Sequence, residues 1–233
     1  MTAKRGFTLA EILVTLGIIG IVAALTFPTL ANNWQRKSYV TQLHKVYNEF
    51  QQGFVQLMDE HQAQNVVEAG LYTGSSYEKN FITNYFDVTQ DCGTTSGSCF
   101  ASRYKTINGG SGTITTSGYH ALLSNGAVIA FNIDGINKGD ENTDDFVGTI
   151  FVDVNGQEGP NVGGRDMFKL YFYADGTVDD AGVNPNCRKN GGTCYGGGTP
   201  RSKRDSNFNS CKTSLVGEGC FGKIINDNWV MNY

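Results

Sequence analysis

The chain is poor in the groups that do covalent chemistry. It has three histidines in 233 residues, His44, His61 and His120, and they are scattered. It contains no His-Glu-x-x-His, no Gly-x-Ser-x-Gly and no complete phosphate loop ending in Gly-Lys-Ser/Thr. The spacings that announce zinc hydrolysis, acyl transfer and nucleotide hydrolysis are therefore missing. Carboxylate pairs leave no such spacing, but nothing else points to catalysis, and the chain is expected not to be an enzyme. Positive charge is scarce too, with 18 Lys and Arg against 22 Asp and Glu and a net charge of −4. That leaves no basic footprint, so no nucleic-acid partner is expected. Proline is rare at four residues while glycine reaches 30, a balance that favours many turns and loose loops.

Charge of either sign vanishes from one long stretch. Between Glu11 and Arg36 there is no Asp, Glu, Lys or Arg. Residues 12–31 are enough to cross roughly 30 Å of hydrocarbon as a helix. Lys4 and Arg5 precede the run, which holds its start on the cytoplasmic side and sends the rest of the chain outward. Glu11 is the anomaly. A bare carboxylate near mid-bilayer costs on the order of 2.5–3.5 kcal/mol, so it calls for a cationic partner. A secretory signal peptide also has a basic start and an apolar core, but Thr29-Leu30-Ala31 is a poor cleavage site and a carboxylate is out of place in such a core.

Lys4-Arg5-Gly6, then Phe7-Thr8-Leu9-Ala10-Glu11, then the apolar run with Pro28, resemble the class III leader and N-terminal helix of type IV pilins and type II secretion pseudopilins. The resemblance implies cleavage after Gly6 by a prepilin peptidase, N-methylation of Phe7, and a helix that packs in a filament core and bends or locally melts near Pro28. A new amine on Phe7 would lie one helical turn from Glu11. Glu11 then pairs with its own amine or with a neighbouring chain's, and becomes the assembly residue. The implied partners are other copies, minor pilins, the prepilin peptidase, an inner-membrane assembly platform with its ATPase, and membrane lipid. The implied place is the bacterial inner membrane, crossed once with the C-terminal domain outside, and after assembly a periplasmic or surface filament. A pilin or pseudopilin of this kind would serve secretion, adhesion, motility or DNA uptake. The alternative is a membrane-tethered binding module or adhesin exported by the same route.

The expected organisation is a leader at 1–6, a helix at 7–61 with 7–31 in the membrane, and an outward head at 62–233. Leu43, Val46, Tyr47, Phe50, Phe54, Leu57 and Met58 recur at steps of three and four, the mark of an amphipathic helix. Residues 81–86 read as a short helix, and 93–118 as Gly-, Ser- and Thr-rich loops or short edge strands. A hairpin over 119–133 with an Asn125-Gly126 turn starts the sheet, and 149–154 and 168–173 continue it. The fold class is α+β: the long helix packed on an antiparallel meander. Cys92, Cys99, Cys187, Cys194, Cys211 and Cys220 all lie on the outward side, where an even count reads as disulfides. Six cysteines allow 15 pairings and the sequence does not choose among them. Nearness suggests Cys92–Cys99, Cys187–Cys194 and Cys211–Cys220.

The segment Asp153-Val154-Asn155-Gly156, Gly159-Pro160-Asn161 and Gly164-Arg165-Asp166-Met167-Phe168 resembles a signature of pseudopilin-like globular domains. Its turns read as a scaffold in which Asp166 caps backbone amides or faces Asp153. The other reading is calcium on Asp153, Asn155 and Asp166, the one cofactor considered. Asp140, Asn142, Asp144 and Asp145 form a second oxygen-rich cluster. They fail as an EF-hand, because Asp145 replaces the turn glycine and Phe151 the bidentate glutamate. From Gly182 on, the tail reads as a solvated Gly-rich loop with Arg201, Lys203 and Arg204 as a basic patch, and the last stretch as a strand or turn.

Overall fold

The computed structural model describes residue 6 and residues 8–95, 99–135, 145–189, 191–194 and 196–233, with the backbone alone at residue 29. Thirteen elements occur among them: α1 (Leu9–Glu60), α2 (Ser75–Tyr85), β1 (Val88–Gly93), β2 (Tyr104–Lys105), β3 (Ser111–Gly112), β4 (Tyr119–Leu123), β5 (Val128–Ile133), β6 (Phe146–Asp153), β7 (Met167–Tyr173), β8 (Val178–Asp179), α3 (Pro185–Arg188), α4 (Pro200–Cys211) and α5 (Cys220–Asn226). The chain divides into two units, residues up to Ser38 and residues from Tyr39 to Tyr233.

The first unit is bare apolar helix. Leu13, Ile19, Leu25, Phe27 and Leu30 are all exposed, and the 18-residue window of highest hydropathy averages 2.3. The hydroxyls in this run are satisfied locally. Thr15 Oγ1 donates to the Glu11 carbonyl and Thr26 Oγ1 to the Val22 carbonyl, each at 2.9 Å, so neither hydroxyl offers the hydrocarbon an unpaired donor. Pro28 lies inside the helix, which is assigned through it.

The second unit is an α+β head. Tyr39, Val40, Leu43, Val46, Phe50, Phe54 and Leu57 are buried, the three-and-four spacing of one helix face. They meet a six-stranded antiparallel sheet in the order β1-β4-β5-β6-β7-β8. Phe50 and Phe54 pack on Phe131 at 5.7 and 6.2 Å, and Phe54 stacks on Phe172 at 5.1 Å. Phe131 is fully buried, and truncating such a ring to alanine costs about 3–5 kcal/mol. The opposite sheet face carries a second, smaller core. There Val128, Ala130, Phe151 and Met167 lie under Phe100, Tyr104 and the Cys92–Cys99 bridge.

The expected hairpin forms with β4 and β5 joined at Asn125-Gly126, where Gly126 takes φ 88°. Strands β6 and β7 cover the expected third and fourth strands, and α2 contains most of the short helix expected at 81–86. The sheet does not begin at 119, however. β1 precedes it and pairs with β4, and β8 extends the other edge. The tail is not a solvated loop but three helices, and its last stretch is helix α5 followed by a turn rather than a strand. Thr199 and Ser202 make a reciprocal capping box with Pro200 at the first turn, which nucleates α4 without an apolar stripe.

The disulfides join Cys92 to Cys99, Cys187 to Cys194 and Cys211 to Cys220. Gly164 shows how tightly the third is fitted. It holds φ +84°, and a Cβ there would stand 2.5 Å from Cys220 Sγ and 3.1 Å from Cys211 Sγ. Gly164→Ala is expected to cost the head at least about 2 kcal/mol in a urea melt, because strained backbone and overpacking add. A loss of a few tenths would show that the loop simply slides away from the bridge.

Candidate functional site

Thr8 and Glu11 close the N-terminal end of α1. The Thr8 backbone N–H donates to Glu11 Oε2 at 2.8 Å, and the Thr8 hydroxyl donates to the same oxygen at 2.9 Å. In return the Glu11 N–H donates to Thr8 Oγ1 at 3.3 Å. This is a capping box: Thr8 is the N-cap, Glu11 stands three residues on, and each satisfies an orphan donor of the other. In the sequence it is the Thr-x-x-Glu spacing of Thr8 and Glu11. Gly6 is exposed. Phe7, named as the new N-terminus, lies outside the described residues.

The family model for the prokaryotic N-terminal methylation motif matches residues 1–27. That span holds the glycine, the capping box and the apolar run together. Fimbrial protein Q of Moraxella bovis is 30% identical over 118 residues, which is 50% of this chain and 65% of that protein. The matched span is the N-terminal motif alone, and the chain spans less than two thirds of the length of the fimbrial relative. No solved structure matches the chain. The methylation motif lies on an exposed helix long and apolar enough to cross a membrane.

Asp153, Asn155 and Asp166, considered for calcium, are brought together: the Asp153 and Asp166 oxygens accept from protein donors, while Asn155 Oδ1 is buried with no hydrogen-bond partner. Asp166 accepts from the Asn161 N–H at 2.7 Å and the Val162 N–H at 2.6 Å, one on each oxygen, so it caps the turn as expected. Asp153 Oδ2 accepts from the buried Tyr104 hydroxyl, and Oδ1 from the Asn155 N–H at 3.3 Å. Asn155 Nδ2 donates to the carbonyls of Glu158 and Gly159 at 2.8 and 3.1 Å. As arranged, these groups lock a turn in which Asn155 Oδ1 is left without a partner. Among the described residues no group of three or more His, Cys, Asp or Glu could hold a metal. Of the second cluster, Asp140, Asn142 and Asp144 lie outside the described residues, and Asp145 takes φ 60°.

Burial makes this turn pH-sensitive. Loss of water pushes the Asp153 carboxyl up to about 8, against the Tyr104 hydrogen bond that would lower it, with Asp166 adding repulsion. The same cause raises Asp166, and raises Asp180 to about 6. An unfolded Asp titrates near about 3.9, so these groups hold their protons more tightly in the fold. Their contribution is fully present below that value and is lost as pH rises through the folded values. The head should therefore melt at a higher temperature at pH 5 than at pH 8. Asp153→Asn, which keeps an acceptor for Tyr104, should remove most of the difference. A flat profile in the parent protein contradicts this account.

The presumed basic patch of the tail is not a patch. Arg201 is exposed, but Arg204 turns inward and meets Asp179 through two hydrogen bonds, Nε to Oδ1 at 2.8 Å and Nη2 to Oδ2 at 2.5 Å. Asn226 Nδ2 donates to the Arg201 carbonyl at 2.8 Å, and Asn207 Nδ2 to the Ala181 carbonyl at 2.8 Å. These bonds clamp α4 and α5 over the β8 edge of the sheet, which would otherwise present unpaired strand groups.

Proposed function

We propose that this chain is a filament subunit, cut after Gly6, methylated on Phe7, stored in the inner membrane through residues 7–31 and polymerised by an assembly platform and its ATPase. What carries the reading is one carboxylate, Glu11, placed on the first turn of a helix whose next charged residue is Arg36. In the free chain its charge is held by the Thr8 capping box. In the polymer the methylated amine of Phe7, from the same or an adjoining copy, replaces that local cap. The resulting pair in a low-dielectric core is favourable only when both members are present. A lone subunit keeps the weaker bond, and a packed array satisfies the stronger one. The filament is a periplasmic pseudopilus or a surface pilus.

Mass spectrometry of the mature N-terminus tests the processing step. The expected peptide begins at Phe7 and carries one additional methyl group. A chain still beginning at Met1, or one cut after Ala31, removes the basis of the proposal.

A further inference from the structure

Helix α4 is docked on the head almost wholly by polar bonds. Its one buried side chain is Cys211, at its last residue, and the Cys211–Cys220 bridge ties that end to α5. Helix α5 is anchored differently, with Phe221 and Ile224 fully buried in the main core. The rest of α4 is held by charge and hydrogen bonds. Arg204 meets Asp179 and Asn226, and Asn207 meets the Ala181 carbonyl. Asn226 meets the Arg201 carbonyl, and Asp205 lies 3.5 Å from Lys223. Phe208 adds one ring contact, to Tyr233 at 4.9 Å. Between α4 and α5 sits Asp180, fully buried. Its Oδ1 accepts from the Ala181 N–H at 2.9 Å, but Oδ2 has no hydrogen-bond partner. Gly222 of α5 closes off that oxygen, since a Cβ there would stand 2.4 Å from it.

We propose that α4 is a pH-gated strap: ionisation of Asp180 releases it from the head, pivoting on the Cys211–Cys220 bridge. The charges around Asp180 explain the gate. Asp179 on β8 and Asp180 share one cation, Arg204 of α4, which Asp179 already engages through both oxygens. The other elements packed there bring no second one. On β7 the Tyr171 and Tyr173 hydroxyls are given to Glu218 and to the Asp180 carbonyl. From α1 comes Tyr47, which faces Asp179. On α5 Asn226 is neutral, and Lys223 pairs with Asp205 and Asp227. Arg188 of α3 is bound to Asp175. An ionised Asp180 is therefore a buried carboxylate without compensation, among the costliest groups a fold can hold. Lifting α4 hydrates it and gives up little apolar contact, the mark of a segment that opens locally. Burial raises the Asp180 carboxyl to about 6, against about 3.9 in water. Its proton is held more tightly in the closed form. Docking is thus firm below the open value and is lost as pH rises through about 6.

The strap lies in the head, so its failure leaves the filament reading untouched. The test is hydrogen exchange with mass spectrometry on the full chain in detergent micelles, from pH 5 to pH 8. Rates are corrected for the intrinsic pH dependence of exchange. Opening at residues 200–211, relative to β5 and β6, is expected to rise roughly tenfold over that range. Asp180→Asn, which keeps the shape and cannot ionise, should leave α4 protected and its profile flat. Asp153→Asn should leave the α4 response in place, because that group acts on its own turn. Three results overturn the proposal: α4 opening that ignores pH, a rise shared equally by β5 and β6, or a parent-like pH response in Asp180→Asn. The first two are read on the parent alone, so they decide the matter even if the variant fails to fold.

Discussion

Glu11→Ala is expected to cost the chain its polymer and leave its head intact. The carboxylate sits on an apolar helix with no other charge before Arg36, so its neutralisation barely changes burial and chiefly removes a charge that seeks a partner. Losing an ion pair in the packed core should lower sedimentable filament by more than about tenfold, or ~1.4 kcal/mol per subunit contact. The head should not respond, because its core is drawn from Tyr39 onward, and its melting temperature serves as the control. Thr8→Ala separates the two roles of Glu11. It breaks the capping box at about 1 kcal/mol, frays the first turn, and leaves the carboxylate free to pair. That variant should still polymerise, with a smaller loss. Unchanged filaments in Glu11→Ala would refute the assembly role outright. Equal losses in both variants would reduce Glu11 to a helix cap.

Where the sequence was legible, one strong period or one short turn carried the signal. Phe50, Phe54 and Leu57 announced a helix face because nothing else places large apolar residues at three and four. Asn125-Gly126 announced a hairpin because its backbone requires positive φ. β1 was missed for a physical reason. It is an edge strand whose Thr89, Gln90 and Asp91 all face solvent, so it has no apolar alternation to read. The tail was missed for another. In α4 only Phe208 and Cys211 are apolar, and the helix is set by its cap and by a buried ion pair, neither of which has a period. Arg204 looked like a surface charge because its partner Asp179 lies 25 residues away on a different element. Glu11 stands out as a charge in an apolar run, whereas its local partner Thr8 is marked only by a three-residue spacing.

Arg204→Met should be among the most damaging single changes to the head. The Arg204 and Asp179 side chains are only 16% and 5% exposed, and Asp180 beside them is fully buried with its carboxyl raised to about 6. Methionine fills much of the arginine's volume but leaves Asp179 without its two charged hydrogen bonds, next to a second buried carboxyl. Breaking a buried pair from one side costs about 3–5 kcal/mol, which for a head of this size lowers Tm by roughly 10 °C. Because the cost is that of a stranded carboxylate, it should shrink when the carboxylate can be neutralised. The deficit at pH 5 should be clearly smaller than at pH 7. Removing the stranded group altogether is the sharper check. Arg204→Met with Asp179→Leu replaces the pair by apolar packing and should recover most of the loss, as buried pairs often exchange for hydrophobic residues at little cost. A double variant as unstable as the single one would mean that α4 is held by the stem of Arg204 and by its Nη1 bond to Asn226 Oδ1 at 3.3 Å, not by the pair with Asp179. A single variant within about 1 kcal/mol of the parent would mean that this bridge behaves like an exposed one.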